Sequence, residues 1–174
     1  WPKRFDAKRR PVVNPEAIPT IEGVTVCPGA AGGKEWNAMA YSPVTQMVYV
    51  PAIENCAKFV NNGVEARRQG LPPGESGFSY LPGQAYGKVM AIRAATGDIA
   101  WEVKTRTPMG GGMLATAGGV VFAGDPEGNF TAYDADQGDL LWSYQTGSGI
   151  RAGPIAYQLD GKQYIAIASG MGGA

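Results

Sequence analysis

The sequence predicts an all-β fold made of short strands. Along its 174 residues, brief apolar and β-branched runs are each followed by Gly, Pro, Asn or Asp, and helical periodicity is nearly absent. Glycine, the residue that tight turns most often require, occupies 26 positions. Many short strands with frequent turn residues are typical of β-sandwiches, β-barrels and β-propellers. An internal repeat distinguishes these three architectures.

Residues 87–101 and 128–142 are two copies of one unit. They read GKVMAIRAATGDIAW and GNFTAYDADQGDLLW, at an offset of 41 residues, with six of fifteen positions identical. In each copy a small residue lies on one strand, a glycine follows in the turn, and a large flat tryptophan lies on the next strand. These residues are Ala91, Gly97 and Trp101 in the first copy and Ala132, Gly138 and Trp142 in the second. A repeat of about 40 residues built from short strands has the size of one four-stranded propeller blade.

We therefore expect a segment of a β-propeller, with a duplicated hairpin in a sandwich as the alternative. The repeat predicts about two complete four-stranded blades with partial blades at both ends. The expected divisions are the end of a preceding blade and a linker at 1–26, a blade at 27–107 with a polar insertion loop at 54–86, a second blade at 108–147 and an incomplete blade at 148–174. Because a propeller has about four to eight blades, we expect that this stretch does not close on itself.

Composition excludes several functions. The chain has no histidine, so it contains no Ser-His-Asp or Cys-His catalytic group and no His-ligated metal. Its 15 basic and 15 acidic residues cancel, which gives a nucleic-acid partner no electrostatic support. The carboxylates between positions 125 and 139 fall in turns without EF-hand spacing, so we assign no metal ligands to this chain. Cys27 and Cys56 either form a disulfide, which implies an oxidising compartment, or are two free buried thiols.

The repeated pattern AxxxxxGDxxW resembles the tryptophan-docking motif of the alcohol dehydrogenases that depend on pyrroloquinoline quinone (PQQ), the methanol and ethanol dehydrogenase family. Further segments resemble this family in the same order along the chain. They are VCPG at 26–29, GGKEW at 32–36, MAYSP at 39–43, LATAGG at 114–119 and the runs at 147–150 and 160–170. The resemblance covers essentially the whole chain and corresponds to the C-terminal part of an eight-bladed quinoprotein propeller.

The resemblance implies an enzyme that oxidises primary alcohols to aldehydes by hydride transfer to PQQ, and it implies a Cys27–Cys56 disulfide. It also implies that each docking tryptophan packs on the neighbouring blade, that the protein is periplasmic, and that the electron acceptor is a cytochrome c-type protein. In the family, Ca²⁺ or another metal ion, its ligands and the catalytic base belong to other blades. We therefore expect no catalytic residues here and no activity without the missing blades, whether the chain is a fragment or one part of a split enzyme.

The loop at 32–36 is where the resemblance implies contact with the cofactor. Trp36 matches the family pattern, whereas Glu35 replaces its asparagine. An ionised Glu35 would repel the carboxylates of the quinone, so this side chain pairs with Lys34 or another cation, points away, or is protonated. The structural alternative is that Glu35 is a solvated carboxylate and that Trp36 simply covers the mouth of the propeller.

A second function remains open, namely a non-catalytic quinoprotein-like propeller that acts as a scaffold or binding module. The segment that contains Cys27, Trp36 and Tyr41 favours the enzyme, because a scaffold has no need of a loop that faces a cofactor.

Overall fold

The computed structural model describes residues 2–72, 76–83 and 85–170, and within these ranges the fold is almost entirely β. All pairings between the named strands are antiparallel. The strands are β1 (Pro2–Phe5), β2 (Pro11–Val13), β3 (Val24–Val26), β4 (Ala40–Ser42), β5 (Met47–Glu54), β6 (Ala57–Val60), β7 (Gly77–Tyr80), β8 (Tyr86–Arg93), β9 (Ile99–Thr105), β10 (Met113–Ala115), β11 (Val120–Gly124), β12 (Asn129–Asp134), β13 (Leu140–Gln145), β14 (Ile155–Leu159) and β15 (Lys162–Ala166). A 3₁₀ turn spans Pro15–Ala17 and helix α1 spans Val64–Arg68.

The chain divides into two compact units. The smaller unit comprises Trp1–Gly32 and Asn55–Gln84, and the larger comprises Gly33–Glu54 and Ala85–Ala174. The larger unit contains two four-stranded sheets, ordered β4-β5-β8-β9 and β10-β11-β12-β13, and the hairpin β14-β15. Sequential four-stranded antiparallel sheets are the blades of a propeller, so the predicted all-β propeller segment is confirmed.

The two copies of the sequence repeat have the same strand register. Ala91 pairs with Trp101 in the first sheet and Ala132 pairs with Trp142 in the second. In both sheets the register shifts immediately after the alanine, so the sequence repeat is also a repeat of backbone geometry. The small side chain leaves room opposite the large indole, which is why the two residue types occur together.

A buried core joins the two sheets of the larger unit. Tyr49, Val89 and Val121 in this core are fully buried, and the other buried members are methionines, alanines and Tyr133. Val89 lies on β8, whose residues alternate between buried and partly buried, as expected for a strand that turns one face to a core. Several alanines keep the sheets close together, and the methionines fill the irregular space between them.

Trp101 of the first sheet packs directly on the turn between β12 and β13 of the second. Its Nε1 donates a hydrogen bond to the carbonyl oxygen of Ala135 at 3.0 Å. A Cβ atom added to Gly138 would lie only 2.7 Å from two ring carbons of Trp101, and Gly138 has a φ of +77°. Glycine is therefore required here twice, because the ring occupies the side-chain space and the backbone is left-handed.

Tyr49 reinforces the same contact. Its hydroxyl donates to the carbonyl oxygen of Ala135 at 3.1 Å and shares a 2.7 Å hydrogen bond with the Thr45 hydroxyl. The ring centroids of Tyr49 and Trp101 lie 5.9 Å apart. One turn of the second sheet is thus held by two aromatic side chains of the first.

Trp142, the matching residue of the second sheet, has a different environment. It is 48% exposed, whereas its counterpart Trp101 is partly buried. Every residue of its strand β13 is exposed, and the aromatic rings that Trp142 contacts in the described ranges, Phe130 and Tyr144, belong to its own sheet.

The smaller unit corrects the predicted insertion loop at 54–86. This segment contains β6, α1 and β7, and β6 pairs with both β3 and β7 in a three-stranded sheet. The disulfide that the family resemblance implies is present, because Cys27 and Cys56 are bonded. It joins positions 29 residues apart in sequence and links the residue after β3 to the residue before β6.

Replacing each docking tryptophan tests the contact between the sheets. We expect Trp101→Ala to lower the free energy of unfolding of the larger unit by about 3–5 kcal/mol, the usual cost of deleting a large packed aromatic. Trp142→Ala is the matched control, and we expect it to cost about 1 kcal/mol because its ring is half exposed. Urea unfolding followed by circular dichroism measures both, and equal losses would contradict a role for Trp101 between the sheets.

A glycine pair separates packing from backbone strain at this contact. Gly97 and Gly138 both have positive φ, but among the described residues nothing lies within 4 Å of a Cβ added to Gly97. Gly97→Ala should therefore cost only about 1–2 kcal/mol of left-handed strain. Gly138→Ala should cost clearly more in the same urea titration, because the new methyl also displaces Trp101.

Tyr49 makes the stability of the larger unit depend on pH in the alkaline range. Burial raises the pKa of its hydroxyl above the usual range, and the nearby Asp136 and Asp134 charges act in the same direction. A tyrosine whose pKa is higher in the folded state contributes stability below about pH 10, and this contribution is lost as the pH rises further. We expect Tyr49→Phe to be less stable by about 1–2 kcal/mol at pH 7. The difference from the wild type should narrow above about pH 10 in urea titrations, and a constant difference would contradict this assignment.

Loss of the disulfide should loosen the smaller unit. Opening a loop of this size is expected to destabilise the β3-β6-β7 sheet by about 3 kcal/mol. Hydrogen exchange of the β6 amides before and after reduction measures the loss, and Cys27→Ser with Cys56→Ser serves as a control for the reductant. Unchanged amide protection in both experiments would show that the bond does not support this sheet.

Candidate functional site

The loop at 33–38 in the larger unit contains the predicted cofactor contacts and is anchored at both ends. The backbone N–H of Ile53 donates to the carbonyl oxygen of Gly33 at 2.9 Å. At the other end, the N–H of Met113 donates to the carbonyl oxygen of Ala38, also at 2.9 Å. One anchor lies on β5 of the first sheet and the other on β10 of the second, so both sheets position the loop.

Lys34 binds the backbone of its own loop. Its Nζ donates to the carbonyl oxygen of Glu35 at 2.6 Å and also to the carbonyl oxygen of Asn37. The two accepting residues lie on either side of Trp36 in sequence. The ammonium group therefore bridges the backbone around the tryptophan and does not pair with the Glu35 carboxylate.

Glu35 is an exposed carboxylate that forms no ion pair within the described ranges. Of the arrangements considered for this side chain, pairing with Lys34 is thus wrong. The Lys34 ammonium group instead directs two of its three donors to backbone oxygens.

Asn37 is a buried anchor of this loop that sequence reasoning missed. Its side chain is 3% exposed, and its Nδ2 donates to the carbonyl oxygen of Gly110 in the segment that precedes β10. This bond ties the middle of the loop to the second sheet. Asparagine is common in solvated loops, so its type and position gave no signal that this amide is buried.

Trp36 is the large apolar side chain that this anchored loop presents to solvent. It is 72% exposed, although the residues around it are tied down. A flat exposed indole fits a planar aromatic group such as a quinone, which it can bind by stacking or by edge contact. The adjacent Glu35 carboxylate fits an anionic group less well, because like charges repel.

Two of the acidic residues between 125 and 139, Asp125 and Asp134, stabilise turns. Asp125 Oδ1 accepts from the backbone N–H groups of Glu127 and Asn129, at 3.0 and 2.9 Å. Asp134 Oδ1 accepts from the N–H groups of Asp136 and Gln137, at 2.9 and 2.8 Å. In the described part of the chain, no three His, Cys, Asp or Glu residues form a group that could hold a metal ion.

The side chains of the loop at 33–38 can bind a ligand. The loop offers an aromatic surface, a carboxylate and an ammonium that is engaged with backbone oxygens, and it brings together no nucleophile and base.

None of the helices in the described ranges has the length and hydrophobicity that are needed to cross a membrane.

Comparison with known proteins agrees with the blade architecture. Residues 82–165 match the PQQ family, described as the β-propeller domain of glucose, ethanol and alcohol dehydrogenases. These residues include β8 and β9 of the first four-stranded sheet and all of the second, so this part of the chain is similar to the quinoprotein type of propeller.

Several relatives that match the whole chain are quinoprotein alcohol dehydrogenases. The chain is 37% identical to PedH of Pseudomonas putida over all of its own length and 31% of that protein. Among solved structures, the quinohaemoprotein alcohol dehydrogenase ADHIIG of Pseudomonas putida HK5 superposes with a TM-score of 0.86 at 31% identity, over 99% of this chain and 28% of that one. A europium-containing methanol dehydrogenase superposes with a TM-score of 0.77 at 31% identity, over 96% of this chain and 30% of that one.

The chain thus spans about 30% of the length of the relatives that it matches. The family resemblance predicted from the sequence is confirmed. The loop at 33–38 lies outside the range that the family model matches and inside the range that the relatives cover.

Proposed function

We propose that this chain forms part of a PQQ-dependent alcohol dehydrogenase that oxidises primary alcohols to aldehydes. The observation that carries the proposal is an exposed tryptophan, Trp36, on a loop anchored to two sheets. The chain around this loop is similar over its whole length to quinoprotein alcohol dehydrogenases. PQQ, when bound, accepts the hydride that the alcohol loses.

The residues of this chain bind and orient, and the remaining blades supply the catalytic base and the metal ligands. Trp36 offers the quinone a flat apolar surface, while Glu35 sets the charge beside it. Metal binding is proposed to lie with those other blades, with Ca²⁺ or a lanthanide as the ion. One related structure is described as containing europium.

The remaining blades are the first partner that we propose. Two features in the larger unit each resemble one side of the contact between Trp101 and Gly138, the tryptophan or the glycine turn. One is Trp142, which is 48% exposed, and the other is Gly97, which has open space at its Cβ position among the described residues. A preceding blade with a docking tryptophan would cover Gly97, and a following blade with a glycine turn would cover Trp142.

We further propose a periplasmic location and a cytochrome c-type electron acceptor. The Cys27–Cys56 disulfide supports the location, because such bonds persist in oxidising compartments such as the bacterial periplasm. The chain is similar to an enzyme described as a quinohaemoprotein, a name that indicates a quinone and a haem in one protein. This similarity supports a haem protein as the electron acceptor.

The alternative function is a non-catalytic propeller that serves as a scaffold or binding module. The Glu35 carboxylate, which forms no ion pair with any residue that the structure describes, favours it, because a negative charge beside the site weakens binding of an anionic quinone. Reconstitution with the missing blades, PQQ and Ca²⁺ decides between the two functions. We expect dye-linked alcohol oxidation, and failure of a folded, complete propeller to bind PQQ would support the scaffold.

Substitutions in the loop test the assigned contacts in the reconstituted protein. We expect Trp36→Ala to weaken PQQ binding about tenfold, the loss of one aromatic contact, while Trp36→Phe keeps most of the affinity. Glu35→Gln should strengthen binding severalfold, because it removes the repulsion. Isothermal titration calorimetry measures all three affinities, and unchanged affinity in Trp36→Ala would remove this residue from the site.

A further inference from the structure

The side chain of Lys34 has no partner of opposite charge within the described ranges, although it is partly buried. Its Nζ contacts are the carbonyl oxygens of Glu35 and Asn37. An ammonium group has three N–H donors, and two of them are used here on one short stretch of backbone. The side chain therefore closes a ring that contains residue 36.

The other hydrogen bonds of the loop show which part of its backbone depends on this ring. The peptide hydrogen bonds of Gly33 and Ala38 fix its two ends, and the buried Asn37 amide fixes one point between them. Between Gly33 and Asn37, the side chain that bonds to the loop backbone is that of Lys34. Trp36 itself is 72% exposed, so packing against neighbouring residues does little to orient its indole.

We propose that Lys34 is a positioning residue that fixes the backbone on both sides of Trp36 and thereby orients the indole before a ligand arrives. A flat aromatic ligand then binds a surface that is already ordered, which reduces the entropy lost on binding. The benefit to quinone binding rests on the proposed function, whereas the orientation of Trp36 does not. The role differs from attraction of an anionic ligand, because both contacts of the ammonium group are with backbone carbonyls.

The first test needs no quinone. The chain is labelled with 5-fluorotryptophan, and the Trp36 resonance is assigned with Trp36→Phe. We expect Lys34→Met, which keeps the apolar stem and removes the donors, to shift or broaden the Trp36 signal. The Trp101 and Trp142 signals should not change. Lys8→Met, at an exposed lysine of the β1–β2 turn, is the control and should leave every signal unchanged. An unchanged Trp36 signal in Lys34→Met would overturn the proposal.

The second test is a double-mutant cycle in the reconstituted propeller, with PQQ affinity measured by calorimetry. We expect Lys34→Met to weaken binding about fivefold in the wild-type background and to have no effect in the Trp36→Ala background, because coupled residues are not additive. Lys34→Arg, which retains the charge and several donors, should recover part of the loss. An equal loss in both backgrounds would show a direct electrostatic role and would overturn the positioning role.

The two tests separate the possible failures. If the complete wild-type propeller binds no PQQ, the proposed function fails, and the fluorine spectra still decide whether Lys34 orients Trp36. If PQQ binds normally to Lys34→Met, the inference about affinity fails and the proposed function stands.

Discussion

The larger unit depends on one contact between sheets, in which Trp101 lies against Gly138 and donates to the Ala135 carbonyl oxygen. The Tyr49 hydroxyl donates to the same oxygen. One backbone carbonyl of the second sheet therefore accepts hydrogen bonds from two buried or partly buried side chains of the first. Such a bond is costly to break in an apolar interior, where a polar group left without a partner is unfavourable. Together with the buried core between the sheets, this contact sets the position of one blade relative to the next.

The candidate site follows from that position. The loop that presents Trp36 is tied to β5 through Gly33 and to β10 through Ala38, so its two ends move with the two sheets. The buried Asn37 side chain adds a hydrogen bond to the carbonyl oxygen of Gly110, in the segment that precedes β10 of the second sheet. A site placed across two rigid elements is held more accurately than one on a free loop. The backbone from which Trp36 projects is therefore held in place by both sheets.

Sequence reasoning succeeded where the information is local and repeated. The equivalent pairs Ala91–Trp101 and Ala132–Trp142 were visible because each blade has the same register and the same turn. It failed at 54–86, which was predicted to be a loop and contains two strands of a small sheet. Those strands are short, and β6 pairs with β3 from a distant part of the chain, so no local pattern indicates the pairing. The Cys27–Cys56 disulfide, which links the end of β3 to the start of β6, was predictable only through the family resemblance.

The amino-acid sequence by itself determined the blade repeat, the residues of the docking contact and the presence of an aromatic residue next to a carboxylate in the loop. The tertiary structure alone decided what those residues touch. Trp101 and Trp142 occupy the same position in the repeated motif, yet one packs on a glycine turn and the other is 48% exposed. Likewise, Lys34 lies beside Glu35 but binds backbone oxygens instead of the carboxylate. The physical reason is that burial and hydrogen-bond partners depend on what the fold places beside a residue, and residue type and spacing do not contain that information.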